Sequence, residues 1–228
     1  MKLTEPVEFI NKGGKGQREQ QSFFNSLTCW KAVLCGAKAK ITSPRTFPVC
    51  VNTMINGFNL LATTSRGNER AMCNEMLFLL KDQLGDAEAQ TAKTKIRGLI
   101  VAKTSLDPIA VIEKFRVILK ERPYEFRYAL RILPIQGVVP TDLEEIKKAA
   151  TELAAKIGEN ETFRVTIEKR FTTLHTKDLI EAAVGDIKNK ADLENPDKIL
   201  LIEVLGALTG MSLVEPNDIL LVIQEKML

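Results

Sequence analysis

Phe163-Arg-Val-Thr-Ile-Glu-Lys-Arg170 alternates apolar and polar positions, which predicts a strand that buries Phe163, Val165 and Ile167. From Thr176 to Ile187 the period changes to that of a helix, with Leu179, Ile180, Ala183, Val184 and Ile187 on one stripe. The runs Ile199-Leu-Leu-Ile202 and Ile219-Leu-Leu-Val-Ile223 are continuous rather than alternating, as expected of sheet strands covered on both faces. Strand, helix and strand from Phe163 to Ile202 predict a right-handed βαβ crossover. Before them Thr141-Asp-Leu-Glu144 has the form of a capping box, with Thr141 as cap. It opens a helix to Ile157 with Leu143, Ile146, Ala150, Leu153 and Ala154 inside, and Gly158 ends it.

The earlier half follows another order. A strand over Phe58–Thr64 precedes a helix over Arg66–Leu84 that buries Met72, Met76, Leu79 and Leu80 and closes at Gly85. Strands near 87–92 and 96–103 follow, then a helix announced by Asp107 as N-cap and Pro108 at its first position, and a strand within 128–135. The order βαββαβ is that of a ferredoxin-like domain. The stretch Pro134 to Pro140, with Gly137 inside it, is the expected hinge, and the C-terminal part is expected to fold when cut there. The fold class is thus α/β (α+β): a ferredoxin-like domain over 54–135, then an α/β domain over 140–228 with a mostly parallel sheet. Residues 1–53 hold no sustained period and read as a flexible extension or a mis-assigned start, with Met54 as the natural beginning.

Charge changes the picture only locally. Residues 1–53 carry eight basic against three acidic groups, and 54–228 carry 24 against 26. Within the latter, 90–131 holds ten basic and four acidic side chains, whereas 132–228 holds eleven and seventeen. Bulk charge therefore gives no argument for nucleic acid, but a local basic surface does. Cys29, Cys35, Cys50 and Cys73 form no CxxC pair and His175 is the sole histidine, so neither a metal site nor a disulfide framework is expected. No apolar run approaches the roughly 18 residues of a membrane span, and no cleavable leader is read, so a cytoplasmic location is expected.

The order of helix, strand Arg164–Glu168, Lys169-Arg170, a loop with His175, helix and buried strand resembles the THUMP domain, an RNA-binding module of tRNA-modifying proteins. Such proteins commonly carry a ferredoxin-like domain just before it. Leu60-Leu-Ala-Thr-Thr-Ser-Arg-Gly-Asn-Glu-Arg70 is similar to the opening of the THUMP-only branch that assists tRNA cytidine acetylation. The resemblance spans about 54–228. It implies that tRNA is the partner, engaged at its acceptor 3′ end, and that a separate tRNA cytidine acetyltransferase forms N4-acetylcytidine with its own acetyl-CoA and ATP. No membrane and no DNA partner is implied.

A single-stranded tRNA end needs cationic donors in a groove and aromatic or apolar surface for stacking. Arg66 and Arg70 lie one turn apart at the expected start of the first helix, where the dipole also favours phosphate. Lys93, Lys95 and Arg97 alternate in or beside a strand, on one face. Arg127 and Arg131 flank the route into the second domain, and Lys169, Arg170 and Lys177 surround the strand-to-helix loop. Each has a plainer reading: an exposed cation solvates the surface, and Arg66 pairs with Glu69 three residues on. His175 reads as a loop residue that sets the helix entry rather than as a base.

Enzyme motifs are missing from the sequence. Gly13-Gly14-Lys15-Gly16 lacks the spacing and hydroxyl of a phosphate loop, no strand-linked GxGxxG occurs, and Glu144, Glu145 and Glu152 sit on a helix that needs them for solubility. No nucleophile accompanies His175. A non-enzymatic adaptor without cofactor is the expectation. The alternatives are an RNA-binding subunit of another tRNA modification system and a protein-interaction module without RNA affinity.

Overall fold

The computed structural model describes residues 55, 57–185 and 187–227. The expected extension over 1–53, with Trp30, Cys29, Cys35 and Cys50, lies outside them. The described residues belong to one compact unit. In chain order they form β1 (Leu60–Thr63), α1 (Glu69–Phe78), β2 (Gln90–Lys93), β3 (Leu99–Lys103), α2 (Pro108–Glu121) and β4 (Arg131–Pro134). There follow β5 (Gly137–Pro140), α3 (Leu143–Ala154), β6 (Phe163–Arg170), α4 (Thr176–Val184), β7 (Lys198–Leu205), β8 (Leu208–Val214), β9 (Leu220–Leu221) and α5 (Val222–Glu225). No helix among the described residues is long and apolar enough to cross a membrane.

Two sheets result, in a mixed α/β fold. The first has the order β2-β3-β1-β4-β9 with every neighbouring pair antiparallel, and the second the order β5-β8-β7-β6. In the second sheet only β6 and β7 run parallel, joined by the crossover through α4. The expected mostly parallel sheet is therefore corrected: β7 turns back through Gly206 into β8, and β5 pairs antiparallel with β8. Leu208–Val214 hid from its own sequence because Thr209, Gly210 and Ser212 interrupt its apolar pattern although all three are buried. Thr209 and Gly210 are accounted for by close packing. Thr209 shares a hydroxyl hydrogen bond of 2.8 Å with Thr141, and a Cβ at Gly210 would come within 3.2–3.4 Å of Ile135 and Phe58.

The pleat sorts the core into three layers. Leu60, Ala62, Ile100, Ala102 and Ile132 on one face of the first sheet meet Met72, Met76, Leu79, Val111, Ile112 and Phe115 of α1, α2 and the π-helical segment Leu79–Gln83 that continues α1. Leu61, Leu99, Val101 and Leu133 on its other face meet Ile199, Leu201, Leu205 and Val214 of the second sheet. The alternate residues Leu200, Ile202 and Val204 of β7 face Ile146, Ala150 and Leu153 of α3 and Leu179 and Ala183 of α4. β7 is thus covered on both faces, as its continuous apolar run predicts.

Several local expectations change. Pro134–Pro140 is not a hinge: Pro134 ends β4, Gly137–Pro140 is β5, Ile135 is buried, and the Gln136 amide exchanges two hydrogen bonds of 3.2 Å with the backbone of Leu213. The run from Ile219 shortens to the two-residue β9, which returns to pair with β4 in the first sheet and leads into α5. Arg116 of α2 holds that return, donating from Nε to Glu225 at 2.7 Å and from Nη2 to the Ile219 carbonyl at 3.2 Å. The cap of α3 is Asp142, whose carboxylate accepts from the Glu144 amide at 3.0 Å, because Thr141 is taken by Thr209. Asp107 and Pro108 do start α2.

Candidate nucleic-acid interface

Two turns meet at one end of the first sheet. The Thr64 amide in the turn after β1 donates to the Gly98 carbonyl at 2.9 Å, and the Glu69 carboxylate accepts from Gly67 at 3.1 Å and from Gly98 at 2.6 Å. The Gly98 amide, with the backbone of Glu69 and Gly67 and the charge of Lys93, holds the Glu69 carboxyl below the usual range. Gly98 has φ +77, and a Cβ there would meet the Thr64 carbonyl at 2.7 Å, so this closure requires glycine. Arg66, Lys95 and Arg97 lie on these turns and Lys93 ends β2 beside them.

That placement corrects two expectations. Arg66 precedes α1 rather than lying in its first turn, and only Arg70, exposed on α1, is helical. Lys95 and Arg97 lie in the hairpin turn, not on a strand face with Lys93. The cations nevertheless gather, because Glu69 clips the two turns together. Glu69 itself is engaged with backbone amides, and not with Arg66 as the plainer reading of that residue had it.

The same end of the first sheet touches the second. Arg131 pairs across from Thr63, at the end of β1, and projects between the sheets. Its Nη2 lies 2.7 Å from Glu168 and 3.2 Å from Glu203, while Arg170 reaches Glu203 from Nη1 at 2.7 Å and Glu168 from Nη2. Two arginines and two glutamates so close a neutral ring. The Glu203 side chain is 3% exposed, whereas Glu168 is 35% exposed. Burial pushes the Glu203 carboxyl up and neighbouring Glu168 adds to this, against the two guanidiniums that favour its charge. Arg131 and Arg170 are therefore committed to carboxylates and act as a bolt between the sheets.

Beyond the ring the chain returns to the surface. Lys169 is exposed, its Nζ donating to the Leu174 carbonyl at 2.9 Å, and Phe171 follows with its ring in solvent. His175 caps α4 through its backbone, its exposed side chain making no capping hydrogen bond. Lys177 is exposed two residues on, 3.7 Å from Glu181 in a surface pair of small energetic weight. Arg127 stands apart, against α1 in a shallow groove with Tyr124, Tyr128 and Phe78, donating to the Tyr124 carbonyl at 3.3 Å. Of the ten cations singled out from the sequence, Arg66, Arg70, Lys93, Lys95 and Arg97 gather at or beside the joined turns, Lys169 and Lys177 flank the loop after β6, Arg127 lies on the groove, and Arg131 and Arg170 are structural partners.

Residues 140–214, from the end of β5 through β8, match the THUMP domain family model, so this segment is a THUMP domain. The chain is homologous to THUMP domain-containing protein 1: it is 24% identical to the protein of that name from Mus musculus over 157 residues, which cover 60% of this chain and 45% of that one. The Homo sapiens counterpart shows the same identity, over 60% of this chain and 44% of its own length. The chain spans less than half the length of these relatives. Among solved structures it is similar to TrmN from Thermus thermophilus, with 16% identity, a TM-score of 0.45, and coverage of 69% of this chain and 46% of that one.

Proposed function

We propose that this chain is a non-enzymatic tRNA-binding adaptor that takes the acceptor 3′ end and presents the tRNA to a separate cytidine acetyltransferase for N4-acetylcytidine formation. The observation that carries the RNA-binding step is the THUMP domain at 140–214. The cations of the two joined turns and of the loop after β6 support it, since they offer positive N–H donors to phosphate at the surface. A ferredoxin-like assignment for 54–135 accords with the element order βαββαβ and the strand order β2-β3-β1-β4. The acetyltransferase partner rests on the likeness of Leu60–Arg70 to the THUMP-only branch. Acetyl-CoA and ATP are then the partner's cofactors, and the cytoplasm is the proposed location.

The test separates placed cations from structural ones. Lys93→Ala, Lys95→Ala and Arg97→Ala combined should reduce the slope of log affinity against log salt for tRNA by about 0.7 to 0.9 for each phosphate that is no longer neutralised. Lys169→Ala should lower it by one such step. A slope unchanged in both variants would place the phosphate-binding cations elsewhere. An acetyltransferase that co-purifies with the native chain is expected; another tRNA-modifying enzyme in its place would favour the second modification system.

A further inference from the structure

Phe171 is the one non-glycine residue with positive φ among the described residues, at +54, and the residue is 75% exposed. Both properties run against its chemistry. An aromatic side chain in the left-handed region is disfavoured sterically, and an exposed phenylalanine forfeits burial. The aromatic that opens β6, Phe163, lies in the core with Val165 and Ile167 packed beside it, whereas Phe171, just past the end of that strand, belongs to none of the three core layers. Packing therefore gives no reason for a phenylalanine at this position.

The backbone leading into Phe171 is fixed. Arg170 is locked into the ring with Glu203 and Glu168, and its carbonyl accepts from the Gly206 amide at 2.9 Å. Phe171 itself lies close to Gly206, its carbonyl and Cβ 3.8 and 3.9 Å from the position of a Cβ there. The disfavoured conformation is thus held from outside, the pattern in which backbone strain marks a functional position. A phenylalanine offers a ligand nothing but its apolar edge and π faces. Exposed Lys169 and Lys177 flank it with positive charge.

A rigidly presented aromatic face between cations matches what an unpaired nucleotide requires, namely base stacking with phosphate neutralisation. We propose that Phe171 is the stacking platform for an unpaired base at the 3′ end of bound tRNA. This rests on the RNA-binding reading above and adds to it the residue that engages a base rather than a phosphate.

The test uses the full chain and tRNA whose last unpaired adenosine is replaced by fluorescent 2-aminopurine, with Phe171→Gly and Phe171→Tyr as variants. Glycine accepts φ +54 without strain, so Phe171→Gly should melt at or above the temperature of the parent chain. It should nevertheless bind about tenfold or more weakly, with unchanged salt slope and without the stacking-induced change in emission. Phe171→Tyr should keep both affinity and emission change. Parental affinity and emission change in Phe171→Gly would overturn the platform while leaving tRNA binding intact. A clear fall in its melting temperature would assign Phe171 to packing instead. Failure of the parent chain to bind tRNA at low salt would remove the RNA reading itself.

Discussion

Glu203→Ala should destabilise the protein by about 3 kcal/mol, near the lower end of the cost of stripping one partner from a buried ion pair. For a unit of this size that corresponds to a fall in melting temperature of about 6–12 °C. The reason lies in the geometry of the ring. Both carboxylate oxygens of Glu203 are used, one by Arg131 and one by Arg170, and its side chain is almost wholly buried. Removal leaves two guanidiniums between the sheets with only the partly exposed Glu168 carboxylate to share. They retain 26% and 24% exposure, so water softens the loss. Glu168→Ala should cost markedly less, since Glu168 is a third exposed and Glu203 still holds both arginines. Thermal unfolding of the two variants checks the ranking; equal small shifts would show that the ring does not bolt the sheets together.

Cutting the chain between Gln136 and Gly137 should leave neither part folded alone. The cut passes through no hinge, and the inner layer it would open joins Leu61, Val101 and Leu133 to Ile199, Leu201 and Val214. Each such side chain contributes about 1.5–3 kcal/mol when buried, so the layer as a whole rivals the entire stability of an ordinary domain, about 5–15 kcal/mol. The same cut separates β9 from β4 and Arg131 from Glu203. Residues 137–228 alone should aggregate or bind a hydrophobic dye. Co-expression with 55–136 should restore a soluble complex. A monodisperse 137–228 with a sharp unfolding transition would contradict the shared layer.

The sequence pattern read most clearly where one period ran unbroken. The bounds of β6 were legible from its alternation, although Val165 and Ile167 are only partly buried, α2 from Asp107-Pro108, and the double cover of β7 from its continuous run. What covers β7 on its second face was not legible, because an apolar run records that a face is buried but not against which partner. β8 was lost for a related reason: Thr209, Gly210 and Ser212 are small or polar yet wholly enclosed. At the candidate site, the clustering of cations was legible but not their availability. Glu203 gave the missing signal. A carboxylate inside Ile199–Leu205 must find a partner when the strand is buried, and Arg170, one strand over, and Arg131 are those partners. Lys169-Arg170 then reads as one exposed cation and one structural cation rather than as a pair.

The proposed recognition of the acceptor end is most directly tested by comparing the chain's affinity for intact tRNA with that for tRNA trimmed of its 3′ end, at two salt concentrations. Intact tRNA should bind more tightly at both, and the affinity of each should fall as salt rises. Equal affinity for the two RNAs would contradict acceptor-end recognition.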